Sequence, residues 1–206
     1  MSAPPKTVLQ ASADEAASIR HAVRTADPAS LGAGNVLATQ SHVPALLELL
    51  GDPAVSDWIY SLPRPLTLQS VAAWVADAER LHAAGEAILV VSTDAVGGIA
   101  GYARFTIWPE RASGELGGAS RASLQSAGRG RAAAWRRFDW MFAVLGLRLV
   151  GVTTALDNER SARVIEAAGF VLVGEVISQR PDGSARASMA WEMTREIWEA
   201  KKAVLF

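Results

Sequence analysis

The sequence predicts a mixed α/β domain of the α+β kind, with a mostly antiparallel central sheet of about six to seven strands flanked by helices. Three observations predict it. Two runs rich in β-branched and aromatic residues, Ala87 to Thr93 and Ile99 to Ile107, flank Asp94-Ala95-Val96-Gly97-Gly98, the composition of a hairpin turn. From Gly128 onward, helical and strand periodicities alternate almost to the C-terminus. The 206 residues are 50% hydrophobic and 20% charged, which suits one domain with a proper core.

In chain order, residues 1–33 are rich in Ala, Ser, Pro and Gly and read as an N-terminal arm or appended helix, with Ala13 to Val23 helical. Asn35 to Thr39 reads as a short strand and Val43 to Leu50 as an apolar helix ended by Gly51-Asp52-Pro53. The stretch Trp58 to Pro65 is too aromatic and proline-rich for a regular element, and Thr67 caps a helix running to Ala83. After the hairpin, a third strand is expected at Glu115 to Ser120, then a glycine loop and a helix from Arg131 to Leu145. A strand Val150 to Ala155, a helix Ser161 to Ala168 stopped by Gly169, and strands Phe170 to Ser178 and Ala187 to Thr194 around Pro181-Asp182-Gly183 complete the domain. Its expected span is 34–198, with 199–206 a tail whose apolar end, Val204-Leu205-Phe206, docks on this subunit or another; monomer and homodimer both stay open.

Composition excludes several functions. Twenty basic against twenty-one acidic residues give a net charge of −1, so no positive field draws in nucleic acid. The longest apolar run, Trp140 to Leu147, is too short to span a membrane, and the start lacks a secretory pattern, so a cytoplasmic location is expected. No cysteine is present, so there is no disulfide, no Cys-ligated metal and no catalytic thiol; thiol chemistry has to come with a cofactor, and no metal is expected.

The chemistry is written in two motifs. Gln125-Ser126-Ala127-Gly128-Arg129-Gly130-Arg131 sits between an expected strand and an expected helix. Glycines there let successive N–H groups point outward, and the helix adds its free N–H groups and the positive end of its dipole, making an anion cradle suited to a pyrophosphate. There is no G-x-x-x-x-G-K-[ST], and Ala133 stands where G-x-G-x-x-G needs its third glycine, so nucleotide hydrolysis and nicotinamide binding both lose their motif. A plain helix-capping turn is the structural alternative. The second motif runs from Asn158 through Ser161 and Val164-Ile165-Glu166 to Gly169-Phe170.

Together the two motifs resemble the GNAT superfamily of acyl-CoA-dependent N-acetyltransferases. Gln125, Gly128 and Gly130 fill the fixed positions of the family's [Q/R]-x-x-G-x-[G/A] pattern, which binds the pyrophosphate of coenzyme A. The strand at Gly114-Glu115-Leu116-Gly117 and the helix end at Gly146 stand at the family's spacing. The second motif resembles the N-x-x-S-x-x-V-L-E-x-x-G-F signature of the branch typified by ribosomal-protein N-terminal acetyltransferases, as does Gly51-Asp52-Pro53-Ala54-Val55 ahead of Pro63. The resemblance covers Asn35 to Trp198. Two departures stand out: Ser126 where a second glycine is frequent, and Thr153 and Ile165 where several family enzymes place a Glu and a Tyr.

What the resemblance implies is acetyl-CoA as cosubstrate and a primary amine as acceptor, on a protein N-terminus or a small molecule. The coenzyme's pyrophosphate would rest on the N–H groups around Ser126, Ala127, Gly128, Arg129, Gly130 and Arg131, with Arg129 or Arg131 pairing a phosphate. The pantetheine would run along Ala119, Ser120 and Arg121, with Asn158, Ser161 and Arg163 on the coenzyme side. A backbone N–H of the strand would face the thioester carbonyl. Ser161 inherits a hydrogen bond to the departing thiolate, against a capping role. Free alkylamines are mostly protonated near neutral pH, so a base is needed. Glu115 is the preferred base, against an exposed strand glutamate or a chain of waters. Trp58, Tyr60 and Trp108 are candidate aromatic walls for the acceptor, against core anchors, whereas Trp74, Trp135, Trp140, Trp191 and Trp198 are expected in the core. His21, His42 and His82 are expected at the surface or at caps. The alternative to an enzyme is a catalytically silent acyl-CoA-binding module; a plain interaction protein ranks last.

Overall fold

Ser12 opens the first helix of the computed structural model, α1 (Ala13–Thr25), its hydroxyl accepting the Glu15 N–H at 3.1 Å. The structure describes residues 4–94, 97–124, 129–180 and 182–205, with backbone alone for 129–131, 204 and 205. After β1 (Asn35–Leu37), His42 Nδ1 accepts the Thr39 N–H at 3.0 Å, so this histidine serves the cap ahead of α2 (Val43–Gly51). Asp52 begins the one-turn α3 (Pro53–Ser56), and Thr67 begins α4 (Leu68–Ala84), which Gly85 ends at φ +77°, where only glycine sits at no cost. An antiparallel meander follows, β2 (Ala87–Thr93), β3 (Ile99–Trp108) and β4 (Ser113–Ser120). Then come α5 (Arg129–Ala143), β5 (Leu149–Ala155), α6 (Glu159–Ala168), β6 (Val171–Gln179), β7 (Ala185–Thr194) and α7 (Arg195–Leu205).

The seven strands form one open sheet in the order β1-β2-β3-β4-β5-β7-β6, antiparallel except where β4 meets β5. This is a single mixed α/β unit of the architecture expected. Alternation divides the strands between two cores. Ile88 and Val90 face a cluster with Ile19 and Val23 of α1, Phe138, Met141 and Phe142 of α5 and Trp198 of α7. Leu89 and Val91 face a second cluster with Leu46 and Leu50 of α2 and Val71 and Val75 of α4. Because β2 is covered on both sides, it reads as a continuous apolar run and not as an alternation.

The N-terminal stretch crosses the sheet. Val150 and Val152 of β5 belong to the α1 side, so Gly151 faces the other way, and there a Cβ would come 3.1 Å from Pro5. The Thr7 N–H donates to Glu192 Oε1 at 3.0 Å, and Arg111 and Lys6 donate to the carbonyls of Thr7 and Val173. The chain therefore grips β5 and β7 on one face with residues 5–7 and packs α1 on the other.

Two expectations are corrected. The stretch 199–206 is not a separate tail: α7 runs on to Leu205, because Asp139 of α5 accepts from Lys202 Nζ at 2.7 Å and from Trp198 Nε1 at 3.0 Å. His82 is not a surface residue; its Nε2 lies 3.1 Å from the Val23 carbonyl, joining α4 to α1.

Candidate functional site

β4 and β5 pair over only three residues, Ser113↔Leu149 to Glu115↔Gly151, yet β4 continues to Ser120 and β5 to Ala155. Beyond Glu115 the two strands part, and the backbone edges that would have bonded each other face a common cleft. Both diverging segments, Glu115 to Ser120 and Val152 to Thr154, line a cavity of about 630 Å³, within the roughly 300–1,000 Å³ of small-molecule sites. Gly118 explains how β4 can lie so close to β3 here: a Cβ on it would stand 2.5 Å from the Tyr102 carbonyl oxygen, and its φ is +158°. At Gly117 a Cβ would meet nothing, since that residue borders the open cleft.

Glu115 stands at the fork. Its side chain is buried, 8% exposed, and its Oε1 accepts the Thr153 hydroxyl at 2.9 Å. Strand β5 thus carries a threonine where a catalytic glutamate was looked for, and that threonine holds a carboxylate supplied by β4. A carboxylate at the fork is accordingly provided from the neighbouring strand. Tyr102, also in the lining and 2% exposed, keeps its proton: burial pushes its phenol far up, against the lowering pull of Arg104 and Arg64. Arg104 is spoken for by Asp77 at 3.4 Å.

The helices α5 and α6 close one side. Asn158 caps α6, its Oδ1 accepting the Ser161 N–H at 3.1 Å, and both residues line the cavity. The cap is therefore Asn158, and the Ser161 hydroxyl is not required for it. On α5, Ala134, Arg137 and Phe138 share the face turned to the cleft, at the i, i+3, i+4 spacing. Burial, with help from neighbouring Arg136, pulls the Arg137 guanidinium down to about 10, and among the described residues no carboxylate pairs with it. A half-buried cation without a counter-ion suits an anionic ligand.

On another wall of the cavity, the aromatic loop meets the β6–β7 hairpin. Tyr60 lies under two guanidinium groups, Arg180 at 4.1 Å and Arg186 at 4.6 Å from its ring centre, and its hydroxyl donates to Ser184 Oγ at 3.1 Å. Arg186 also donates to the Trp58 carbonyl at 3.3 Å.

The structure gathers several of the sequence-derived residues at this cleft and leaves others out. Glu115, Ala119, Ser120, Asn158, Ser161, Trp58 and Tyr60 all line it. Gln125, Ser126, Ala127 and Gly128 lie outside the described residues; of Arg129, Gly130 and Arg131, the backbone forms the first turn of α5. Arg121 does not border the cavity: its guanidinium holds the Ile99 carbonyl and Glu48, locking the end of β4 to β3 and α2. Arg163 is exposed and paired with Glu159 one turn back. Trp108 is corrected as an acceptor wall: it pairs with Ser113 at the end of the sheet where β4 and β5 are still joined, and is not in the lining. Trp74 does line the cavity while packing edge-on against Tyr102. Sequence reasoning passed over Arg137, Arg180 and Arg186. The first was legible from its i, i+3 spacing to Ala134, and the other two from their positions on either side of one turn.

The described residues hold no helix long and apolar enough to cross a membrane. In comparison with known proteins, the model of the acetyltransferase (GNAT) domain matches residues 36–171. No protein of curated function matches the chain in sequence. Among solved structures, the chain resembles a protein from T. thermophilus provisionally designated an acetyltransferase (24% identity, TM-score 0.66, 83% of this chain and 90% of that one). It resembles ribosomal-protein-S5-alanine acetyltransferase from Vibrio fischeri (20%, TM-score 0.66, 80% and 93%). Spermidine N-acetyltransferase from Vibrio cholerae, in complex with CoA and spermine, is also similar (15%, TM-score 0.67, 80% and 96%).

Proposed function

The chain belongs to the GNAT acetyltransferase family, and from that premise we propose that it transfers an acetyl group from acetyl-CoA to a primary amine by direct attack, with no covalent intermediate on the protein. The observation that carries this reading is the parting of β4 and β5 at Glu115, with both freed edges lining one cavity whose far wall is α5 and α6. The residues present fit the coenzyme. The open side of Gly117 leaves room for an arm between the strands, the first turn of α5 offers N–H groups to phosphates, and Arg137 supplies a cation inside the cleft. When bound, the coenzyme supplies an activated acyl thioester.

The protein's own groups do the remainder. Backbone N–H groups on the freed edge of β4 donate toward the position where negative charge grows. Glu115, held by Thr153, takes a proton from the acceptor's ammonium, directly or through one water, and the neutral amine left behind attacks the thioester carbonyl. Ser161, in the first turn of α6 and free of capping duty, donates to the departing sulfur. Trp58 and Tyr60 form the wall against which the acceptor lies.

The test is isothermal titration with acetyl-CoA, free coenzyme A and ATP, followed by thiol release in the presence of amines and peptide N-termini. Binding of the two coenzyme forms but not ATP, with thiol release on adding an amine, is the expected result. Coenzyme binding without turnover on any amine would leave a silent acyl-CoA-binding module, and no binding would end the reading.

A further inference from the structure

Resting on that reading, the geometry points to a specific acceptor class: we infer that the enzyme acetylates the N-terminus of a peptide carrying an acidic side chain near that terminus, which Arg180 and Arg186 receive. The two arginines flank one hairpin turn and are drawn onto the same ring, Tyr60, so two like charges meet over a residue of the cavity lining, with Arg186 itself in that lining. Like charges held together without an anion cost free energy. Burial lowers the Arg186 guanidinium and the charge of Arg180 lowers it further, with Tyr60 and Asp157 opposing.

Among the described residues, no carboxylate lies within ion-pair distance of either arginine. The nearby acids are mostly engaged elsewhere: Asp57 faces Arg64 and Glu159 faces Arg163, while Asp182 accepts from Ser184 N and Oγ and feels the charge of Arg180 beyond ion-pair distance. Asp157 remains as a more distant partner of Arg186. The Nε atoms of both arginines are buried without a hydrogen-bond partner among the described residues. Buried donors of this kind are satisfied by a bound acceptor or left at a cost. A polyamine would bring more positive charge to this wall, whereas a carboxylate can take both guanidiniums in fork geometry.

The register gives the spacing. On β7, Ala190 pairs with Thr153 of β5, and Ser188 and Arg186 follow on the same face at every second residue. Thr153 holds Glu115, where the amine must lose its proton. Four strand residues, roughly 13 Å at 3.3 Å each, separate the level of Ala190 from that of Arg186. The arginine side chain reaches back over part of that distance, so an extended peptide whose amine is at Glu115 presents about its second to fourth residue to the pair. A free α-amino acid is too short to bridge both.

Two peptides of equal length test this, one beginning Ser-Ala-Asp-Glu and the other Ser-Ala-Asn-Gln, compared with spermidine by thiol release from acetyl-CoA. We expect kcat/KM for the acidic peptide to exceed that for its amide twin by tenfold or more, and spermidine to be poorer than either. R186Q and R180Q should erase the preference while acetyl-CoA affinity stays unchanged, and R186K should restore part of it. Equal rates for the two peptides, or spermidine as the best acceptor, would overturn the inference. Direct titration of the same peptides into the coenzyme-free protein reads the clamp without turnover: preferential binding of the acidic peptide, lost in R186Q and weakened by salt, supports it, and equal binding overturns it. Failure of acetyl-CoA to bind would count against the proposed reaction alone, because the peptide titration is independent of it.

Discussion

Thr153 and Glu115 stand on neighbouring strands at the point where those strands part, and the Thr153 hydroxyl donates to Glu115 Oε1 at 2.9 Å. Glu115→Gln should lower kcat on the order of a hundredfold, most deeply at low pH where the amine arrives protonated, with acetyl-CoA affinity unchanged. Thr153→Val, which keeps the volume, should cost less, since the carboxylate stays but loses its anchor. A pH–rate profile of both variants decides this; a profile for Glu115→Gln parallel to the wild type would remove Glu115 from the proton path.

Ser161 and Asn158 share a helix start but divide its duties. Asn158→Ala should cost about 1 kcal/mol of stability, because it removes the cap of α6. Ser161→Ala should leave the unfolding midpoint in place and lower kcat by about tenfold, the loss of one hydrogen bond made in the transition state. If Ser161→Ala instead shifts the midpoint and leaves kcat alone, the hydroxyl is structural.

Adjacent glycines on β4 should answer differently to a side chain. Gly118→Ala brings a Cβ to 2.5 Å from the Tyr102 carbonyl and should destabilise the fold by about 1–3 kcal/mol. Gly117→Val meets no protein atom at its Cβ and should fold normally, but it intrudes on the cleft and should weaken acetyl-CoA binding at least tenfold. Thermal melts and coenzyme titration on the pair separate packing from ligand obstruction.

Asp139 ties α5 to α7. Burial works to raise its carboxyl, but hydrogen bonds from Lys202 and Trp198 outweigh it and hold the group below the ordinary aspartate value. A depressed carboxylate contributes stability that is present above its unfolded value, near 3.9, and is lost as the pH falls through the folded one. The side chains are 34% and 40% exposed, so screening limits the contribution to about 1 kcal/mol. In urea melts, Asp139→Asn should be weaker than the wild type at pH 7, and the two should converge as the pH drops below about 4.

The elements were legible because their signals are local: β2 and β3 around a glycine turn, Thr67 ahead of α4, Gly169 after α6. The role of Glu115 as a strand residue beside the site was legible too, but not its partner. Thr153 lies 38 positions away in sequence and meets Glu115 only because β4 and β5 run parallel through α5. Trp108 was misread for the same kind of reason: aromatic content says nothing about which end of a strand opens. Residues 199–206 read as a tail and not as part of a helix because Asp139, which holds Lys202, stands 63 positions upstream.

The grip of residues 5–7 on β5 and β7 sets an order of assembly. The Thr7 N–H and its acceptor Glu192 are separated by 185 positions, so this stretch leaves the ribosome long before the strands it binds exist. Until β7 is made and pairs between β5 and β6, Thr7 has no Glu192 to donate to, and the Gly151 surface under Pro5 and the β6 carbonyl that Lys6 holds are not joined in one sheet. The segment synthesised early is therefore fitted among the last. The cleft wall at Thr153 is completed only when translation is nearly over, so a nascent chain stalled before β7 has no finished cleft.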